Sequence, residues 1–311
     1  MGMDKGGAKL LLKESTRRPF EGRLLTLGRQ EVHFTYDVLV KSAEEMGAKL
    51  YDPGPITLSH HPVFALQKFI SDDSFFKSLG FSDVAAMDYS SYESARYIFD
   101  LNCSEVPEHL LEAFDVIIDG GTIEHVFHVP NALNNIHKML RQNGRIIHMS
   151  PSSNYMDHGF YMFSPTLFWD FYKTNEYEIN TFQLIRHTQR PTVDPWEISD
   201  YTPGCLNDVS FGGLDDGMYA INCVATKKKE STGDRIPQQG LYMNIWGVSE
   251  GKEGSAAKAE VSNNSKYQVI KDVVKRVPLL SPILRHILAR IRSIRRRPRK
   301  KGLGLKVVAR Y

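Results

Sequence analysis

The chain has 311 residues, with 39 Lys and Arg against 36 Asp and Glu, and it is 41% hydrophobic and 24% charged. That length can bury a substantial core, and that composition excludes a wholly disordered or collagen-like chain. No apolar run reaches the ~18 residues that a transmembrane helix needs, and a secretory signal is not expected from the opening residues. Three widely spaced cysteines, Cys103, Cys205 and Cys223, form no CxxC pair, which points to a reduced, cytoplasmic setting without a disulfide framework. Charge is unevenly distributed. Residues 266–311 carry 15 Lys and Arg and one acid, Asp272, leaving 24 bases and 35 acids in residues 1–265. The sequence therefore reads as an acidic body with a basic tail.

Residues 1–20 read as a polar lead-in, and residues 21–228 as the folded domain. Leu24-Leu25-Thr26-Leu27-Gly28 is a short apolar run ending in glycine. Phe34, Val38, Leu39, Ala43 and Met46 then recur at helical spacing up to Gly47, so the pattern is strand, tight turn, helix. After the breakers Asp52-Pro53-Gly54-Pro55 come helical stretches near 63–70 and 75–79. Strands are expected at 82–88, ending in Asp88, and at 95–102, with Asp100 near its end. Residues 114–119 (FDVIID) are nearly continuously apolar, as in a strand buried on both faces of a parallel sheet. A helix at 130–140, a strand at 145–149 ended by Ser150-Pro151, and an aromatic helix at 165–172 follow. Strands at 177–185 and 218–226 close the domain.

Strands and helices alternate, which makes the class α/β with a mainly parallel sheet of about seven strands. Ligands of such sheets bind beyond the carboxyl ends of the strands. Gly28, Asp88, Asp100, Asp119 and Ser150 all fall there. A single strand-end Asp is an ordinary turn former or cap. Three of them at successive ends suit a nucleoside, which needs acceptors for its ribose hydroxyls and its amine.

The stretch Phe114–Val126 (FDVIIDGGTIEHV), then Pro130, Met139-Leu140 and Asn143-Gly144-Arg145-Ile146-Ile147, resembles the class I S-adenosylmethionine-dependent methyltransferases. In that family a strand ending in acid, an EHV turn, a helix and a leucine–x–x–x–glycine step into the next strand occur in this order. The resemblance covers about residues 20–228. It implies a Rossmann-like fold with helices on both faces, S-adenosylmethionine as cofactor, ribose contact at Asp88 and adenine contact at Asp100; Gly28 and Asp119, which end strands on the same ligand face, are expected to touch the cofactor as well. The chain departs from the family pattern at Gly28-Arg29-Gln30, where a second glycine is usual. Either Arg29 or Gln30 reaches the cofactor carboxylate, or the cofactor site is degenerate.

Methyl transfer to a hydroxyl needs aligned reactants and a base. His125, after the fourth strand, and His158, in the Gly- and aromatic-rich loop after the fifth, are the candidates, since histidine titrates near neutrality. The alternative for His125 is a packing or helix-start role. His148 lies inside a strand and reads as a core residue, and His60-His61 as a loop pair. Tyr155, Phe160, Tyr161 and Phe163 would form a wall over the acceptor, or simply pack a lid. With no HxxxH or matching carboxylate spacing, no metal site is expected.

Residues 229–265 read as a polar linker with one apolar island, 241–248. In 283–294 the aliphatic residues Ile283, Leu284, Ile287, Leu288, Ile291 and Ile294 fall on one helical arc, followed by RRRPRKK. Such a segment, 266–301, suits an anionic membrane surface; packing on the body and nucleic acid are the rivals. The acidic body makes nucleic acid the less apt partner. The sequence thus points to a methyltransferase acting on a small molecule or glycan, cytoplasmic and peripheral to the membrane. A protein that kept the fold without catalysis and docks through its tail is the alternative.

Overall fold

A computed structural model of the protein describes residues 2–210, 212–240, 243 and 305–311. Among the described residues, those within Met1–Tyr201, Gly217–Pro237 and Lys306–Tyr311 form one compact unit, and those within Thr202–Asp216 and Gln238–Leu305 belong to a second and are mainly turns. Apart from Met243, the apolar island lies outside the described residues, as does the amphipathic basic segment 283–294. No described helix is long and apolar enough to cross a membrane.

The first unit is built on a nine-stranded sheet. Its strands are β1 (Arg23–Leu27), β2 (Asp83–Asp88), β3 (Tyr97–Ile98), β4 (Phe114–Asp119), β5 (Leu140–Ser153), β6 (Glu178–His187), β7 (Glu197–Asp200), β8 (Met218–Thr226) and β9 (Val307–Arg310). Their order is β3-β2-β1-β4-β5-β8-β6-β7-β9. β1 to β5 pair in parallel, whereas β8 runs antiparallel to both β5 and β6, and β7 antiparallel to both β6 and β9. The 3-2-1-4-5 order of the parallel half is that of a doubly wound Rossmann sheet. The expected seven strands become nine because β7 and β9 extend one edge. Each is four residues long, too short to show a period, and each becomes a strand only by pairing with a remote segment.

Helices cover both faces, as expected. α1 (Lys5–Arg17), α2 (Tyr36–Met46) and α4 (Asp72–Ser78) contribute to one core with Leu24, Val116, Ile118, Ile147, Ile185 and Val224. α3 (Pro62–Leu66) is a short exposed turn. α5 (Val129–Met139) and α6 (Pro165–Thr174) cover the opposite face, where the His148 ring meets Phe168 and Tyr172. α2 is set as its sequence suggests: Thr35 caps it by accepting from Val38 N, and Gly47 ends it in the left-handed region at φ 63°.

α1 corrects the reading of residues 1–20 as a polar lead-in. Its Ala8, Leu10, Leu11 and Leu12 are buried, and its Gly6 lies so close to the Trp196 indole that a Cβ would overlap the ring. Two adjacent glycines weaken the helix signal in sequence, and packing against the rest of the fold restores it. Near its end Glu14 meets Arg145 of β5 at 2.8 Å in a buried pair. Arg145 also donates to the Arg18 and Pro19 carbonyls.

Candidate functional site

The carboxyl ends of β1, β2, β4, β5 and β6 lie on one edge of the sheet, and the sequence-derived candidates gather there in two groups. The first surrounds β1 and β2. Gly28 ends β1 with φ 68° and donates its amide to Met87 O at 2.7 Å. A Cβ at Gly28 would stand 2.9 Å from Thr122 Oγ1, so the position needs glycine for both its backbone and its contact. Asp88 is half-buried, with Oδ1 accepting from the Ser90 amide at 3.4 Å. Asp100 is half-buried, and its Oδ1 accepts from Asn102 N at 2.9 Å and Asn102 Nδ2 at 2.8 Å.

The atypical Arg29-Gln30 step has a clear local outcome. Gln30 is buried and donates to the Leu27 and Gly28 carbonyls, and its amide occupies the space against Gly120. Arg29 bonds Asp72 Oδ1 at 3.1 Å and the Glu93 carbonyl at 3.0 Å. Both side chains are thus engaged within the protein.

Asp119, expected to touch cofactor, is wholly buried. Its Oδ1 accepts from Thr122 N at 2.9 Å and Ile123 N at 3.3 Å; its Oδ2 accepts from Ser150 Oγ at 3.0 Å and meets His148 Nδ1 at 2.7 Å. Burial alone would raise this carboxyl, but the His148 bond and the other donors hold it below the usual carboxylate range. Its bonds to Thr122 and Ile123 pin the turn that follows β4. His148 is the satisfied core residue that its strand position suggested, with Nε2 2.6 Å from Tyr172 Oη.

That pinned turn builds the second group. Residues Ile123–His125 form one helical turn. Ile123 fills the core, Glu124 is also buried, and His125 points outward with its side chain 47% exposed. The loop after β5 then folds back against it. Tyr161 N donates to Glu124 O at 3.2 Å, and a Cβ at Gly159 would stand 3.2 Å from His125 Nδ1. Asp157 takes the left-handed region at φ 65°, and His158 is thereby turned toward the Glu124 carboxylate. His158 Nε2 is 3.7 Å, and His125 Nε2 3.9 Å, from Glu124 Oε1; the two rings lie 5.0 Å apart.

Neither Glu124 carboxylate oxygen has a hydrogen-bond partner among the described residues. Burial, and next the Asp119 charge, raise its pKa to about 8. Burial and then the neighbouring His158 lower the pKa of His125, which favours the neutral imidazole. Beside them Tyr155 Oη lies 2.6 Å from His187 Nε2, while His187 Nδ1 is 2.7 Å from Thr188 O. Since a carbonyl only accepts, His187 carries its proton on Nδ1, and Tyr155 donates to Nε2. Burial, and then Glu124, raise the pKa of Tyr155.

Phe127, Met156 and Phe160 are exposed around this group, and Phe127 and Phe160 meet edge to face at 5.8 Å. Behind the loop, an apolar cleft of about 680 Å³ is lined by Val129, Leu133, Tyr161, Phe163, Leu167 and Phe171, among others. Sequence reasoning brought out His125 and His158 but not Glu124 as a site residue, nor His187. The unpartnered state of Glu124 depends on which groups the fold leaves away from it, which no local pattern records.

No protein-family model and no curated protein sequence matches the chain. Among solved structures, the chain is similar to a 1,6-didemethyltoxoflavin-N1-methyltransferase of Burkholderia thailandensis with bound S-adenosylhomocysteine, at 14% identity over 72% of this chain and 78% of that one, TM-score 0.38. It is similar to an S-adenosylmethionine-dependent methyltransferase of Mesorhizobium loti at 12% identity over 71% and 99%, TM-score 0.36. It is also similar to TehB of Haemophilus influenzae at 12% identity over 70% and 61%, TM-score 0.35. The strand order and direction of the chain itself carry the assignment: it has a Rossmann-like α/β fold.

Proposed function

We propose that the protein is an S-adenosylmethionine-dependent methyltransferase acting on a small molecule or glycan. The observation that carries this reading is the convergence, on one sheet edge, of two separate groups: half-buried acceptors at the ends of β2 and β3, and an imidazole pair after β4 and β5. The resemblance of residues 114–147 to the class I enzymes supports it. These acceptors suit the cofactor at its nucleoside end. Asp88 suits the ribose hydroxyls, Asp100 the adenine amine, and Gly28 allows close backbone approach. Asp119 acts as a positioning residue, because its carboxylate is spent on the turn that presents Glu124 and His125.

The cofactor supplies a methyl group on a sulfonium, ready for direct displacement. The chain's own contribution is to hold the acceptor and take its proton. His158 and His125 face solvent from the far side of the Asp119 turn, where an acceptor hydroxyl can reach an imidazole nitrogen. A neutral imidazole is the form that can accept a proton. Phe127, Met156 and Phe160 offer an apolar rim for the acceptor's body. From the sequence, the basic segment 266–301 would bring the protein to anionic lipid; sedimentation with anionic vesicles at low and high salt tests this, and no binding at low salt overturns it.

Calorimetric titration of the full chain with S-adenosylmethionine and S-adenosylhomocysteine tests the central reading. Saturable binding of one equivalent is expected. Absence of any heat, in a folded protein, would remove the methyltransferase reading.

A further inference from the structure

The feature left unexplained by proton transfer is the Glu124 carboxylate. A carboxylate shut away from water without a hydrogen-bond donor is costly, by several kcal/mol for an ion in real proteins. The usual resolutions are protonation, a cation or a charged partner. Here both oxygens are unpartnered, yet two imidazoles stand beside one of them. One ligand atom each from Glu124, His125 and His158 can be chosen so that all three lie within 4.8 Å of one another.

We propose that Glu124, His125 and His158 form a binding site for one divalent first-row transition ion. One carboxylate and two imidazoles on one side of an ion leave its other positions open, the arrangement of a facial triad. Ligand atoms must lie ~2.0–2.2 Å from such an ion. The present spacings of 3.7 and 3.9 Å are slightly wide for adjacent ligands. The closure needed falls on His125 and His158, whose side chains are 47% and 37% exposed, while the Glu124 side chain is buried. Imidazole donors favour zinc, iron, cobalt or nickel over magnesium and calcium, which take oxygen ligands. Sequence spacing hides the site because the ligands come from two loops far apart in the chain, joined by the Tyr161 N to Glu124 O contact.

Ion binding would add a second route to the chemistry proposed above. With the ion in place both imidazoles serve as ligands. An acceptor hydroxyl at an open position would lose its proton more readily, because the cation stabilises the oxyanion. The ion site itself stands on the three side chains and does not need the methyl-transfer reading.

The test is titration of the metal-free full-length protein with Zn²⁺, and with Co²⁺ followed by its visible absorption. One equivalent should bind to the wild type, and magnesium in large excess should not displace it. Glu124→Gln and His158→Ala should each weaken binding by at least roughly 100-fold, because loss of a mere outer-shell partner already costs ~10–100-fold. His61→Ala, on a residue outside the cluster, should leave it unchanged. Circular dichroism establishes folding, and if Glu124→Gln does not fold, the exposed His158 carries the comparison. Absence of a stoichiometric ion in the wild type, or equal affinity in a folded His125→Ala/His158→Ala protein, overturns the site. Titration with S-adenosylhomocysteine in the same samples keeps this result separate from the cofactor reading, since Asp88 and Asp100 are not ligands of the ion.

Discussion

His148 Nδ1 lies 2.7 Å from the Asp119 carboxylate, with both side chains wholly buried. The pair joins two adjacent parallel strands, with Asp119 at the carboxyl end of β4 in register with His148 inside β5. It continues through His148 Nε2 to Tyr172 Oη on α6 and through Asp119 Oδ1 to the Thr122 and Ile123 amides. One side of the pair therefore fixes a helix to the sheet, and the other fixes the turn that presents Glu124 and His125.

Removing the carboxylate should accordingly be expensive. Asp119→Ala strips two turn amides, Ser150 and His148 of their acceptor, and is expected to destabilise the fold by about 3–5 kcal/mol, as loss of one partner of a buried pair does. Chemical denaturation measures it. A loss below about 1 kcal/mol would mean that the turn is held by other contacts.

The cofactor reading predicts a contrast. Asp100→Ala and Asp88→Ala should each weaken S-adenosylhomocysteine binding by about 1–3 kcal/mol, the scale of a lost hydrogen bond to a charged acceptor. Calorimetry reads this directly. Unchanged affinity in a folded variant would remove that residue from the cofactor site.

On the acceptor side, His158→Ala should lower turnover by roughly 10²–10⁴-fold, the range for general-base catalysis, with S-adenosylhomocysteine affinity near the wild-type value. The measurement is steady-state turnover beside calorimetry. A fall in cofactor affinity as large as the fall in turnover would place His158 in the wrong group.

Packing of α1 gives a prediction that helix propensity alone would reverse. Gly6→Val puts a branched side chain into the Trp196 indole and should cost roughly 1–3 kcal/mol or more by overpacking. The shift in denaturation midpoint, with Trp fluorescence as the probe, checks it. An unchanged or raised midpoint would mean that α1 does not pack on Trp196 in solution.

A pH dependence follows from His137, which meets Tyr177 Oη at 2.8 Å. Burial, and then the Lys227 charge, lower its pKa to about 4, against ~6.5 in an unfolded chain. The unfolded state therefore binds the proton more tightly. Its contribution to stability is complete above pH 6.5, declines as pH falls toward 4, and levels off below that. In a folded His137→Gln protein, the slope of unfolding free energy against pH between 4 and 6.5 should be shallower than in the wild type. Equal slopes would assign no part of the acid sensitivity to His137.

Local pattern was enough for the elements whose signals are short-range. The run at 114–119 is buried between neighbours on both sides, so its continuous apolarity specifies β4; Gly47 closes α2 in a left-handed conformation that glycine adopts at little cost. The alternation of strand and helix specified the α/β class, and the positions of Asp88 and Asp100 at or just past strand ends, and of His158 in the loop after β5, followed from it. Tertiary structure decided what depends on partners distant in the chain. α1 is a helix against two glycines because Leu10, Leu11 and Leu12 are buried in the core. β7 is a strand because it pairs with β6 and β9, and β9 because it pairs with β7, Ile198 opposite Ala309. Gln30 stands in the loop where a glycine was expected, and its amide is satisfied by the Leu27 and Gly28 carbonyls. Above all, Glu124 meets His158 only when the loop after β5 folds onto the turn after β4. A hydrogen bond between segments remote in sequence, Tyr161 N to Glu124 O, leaves no periodicity or spacing in the sequence from which that meeting could be read.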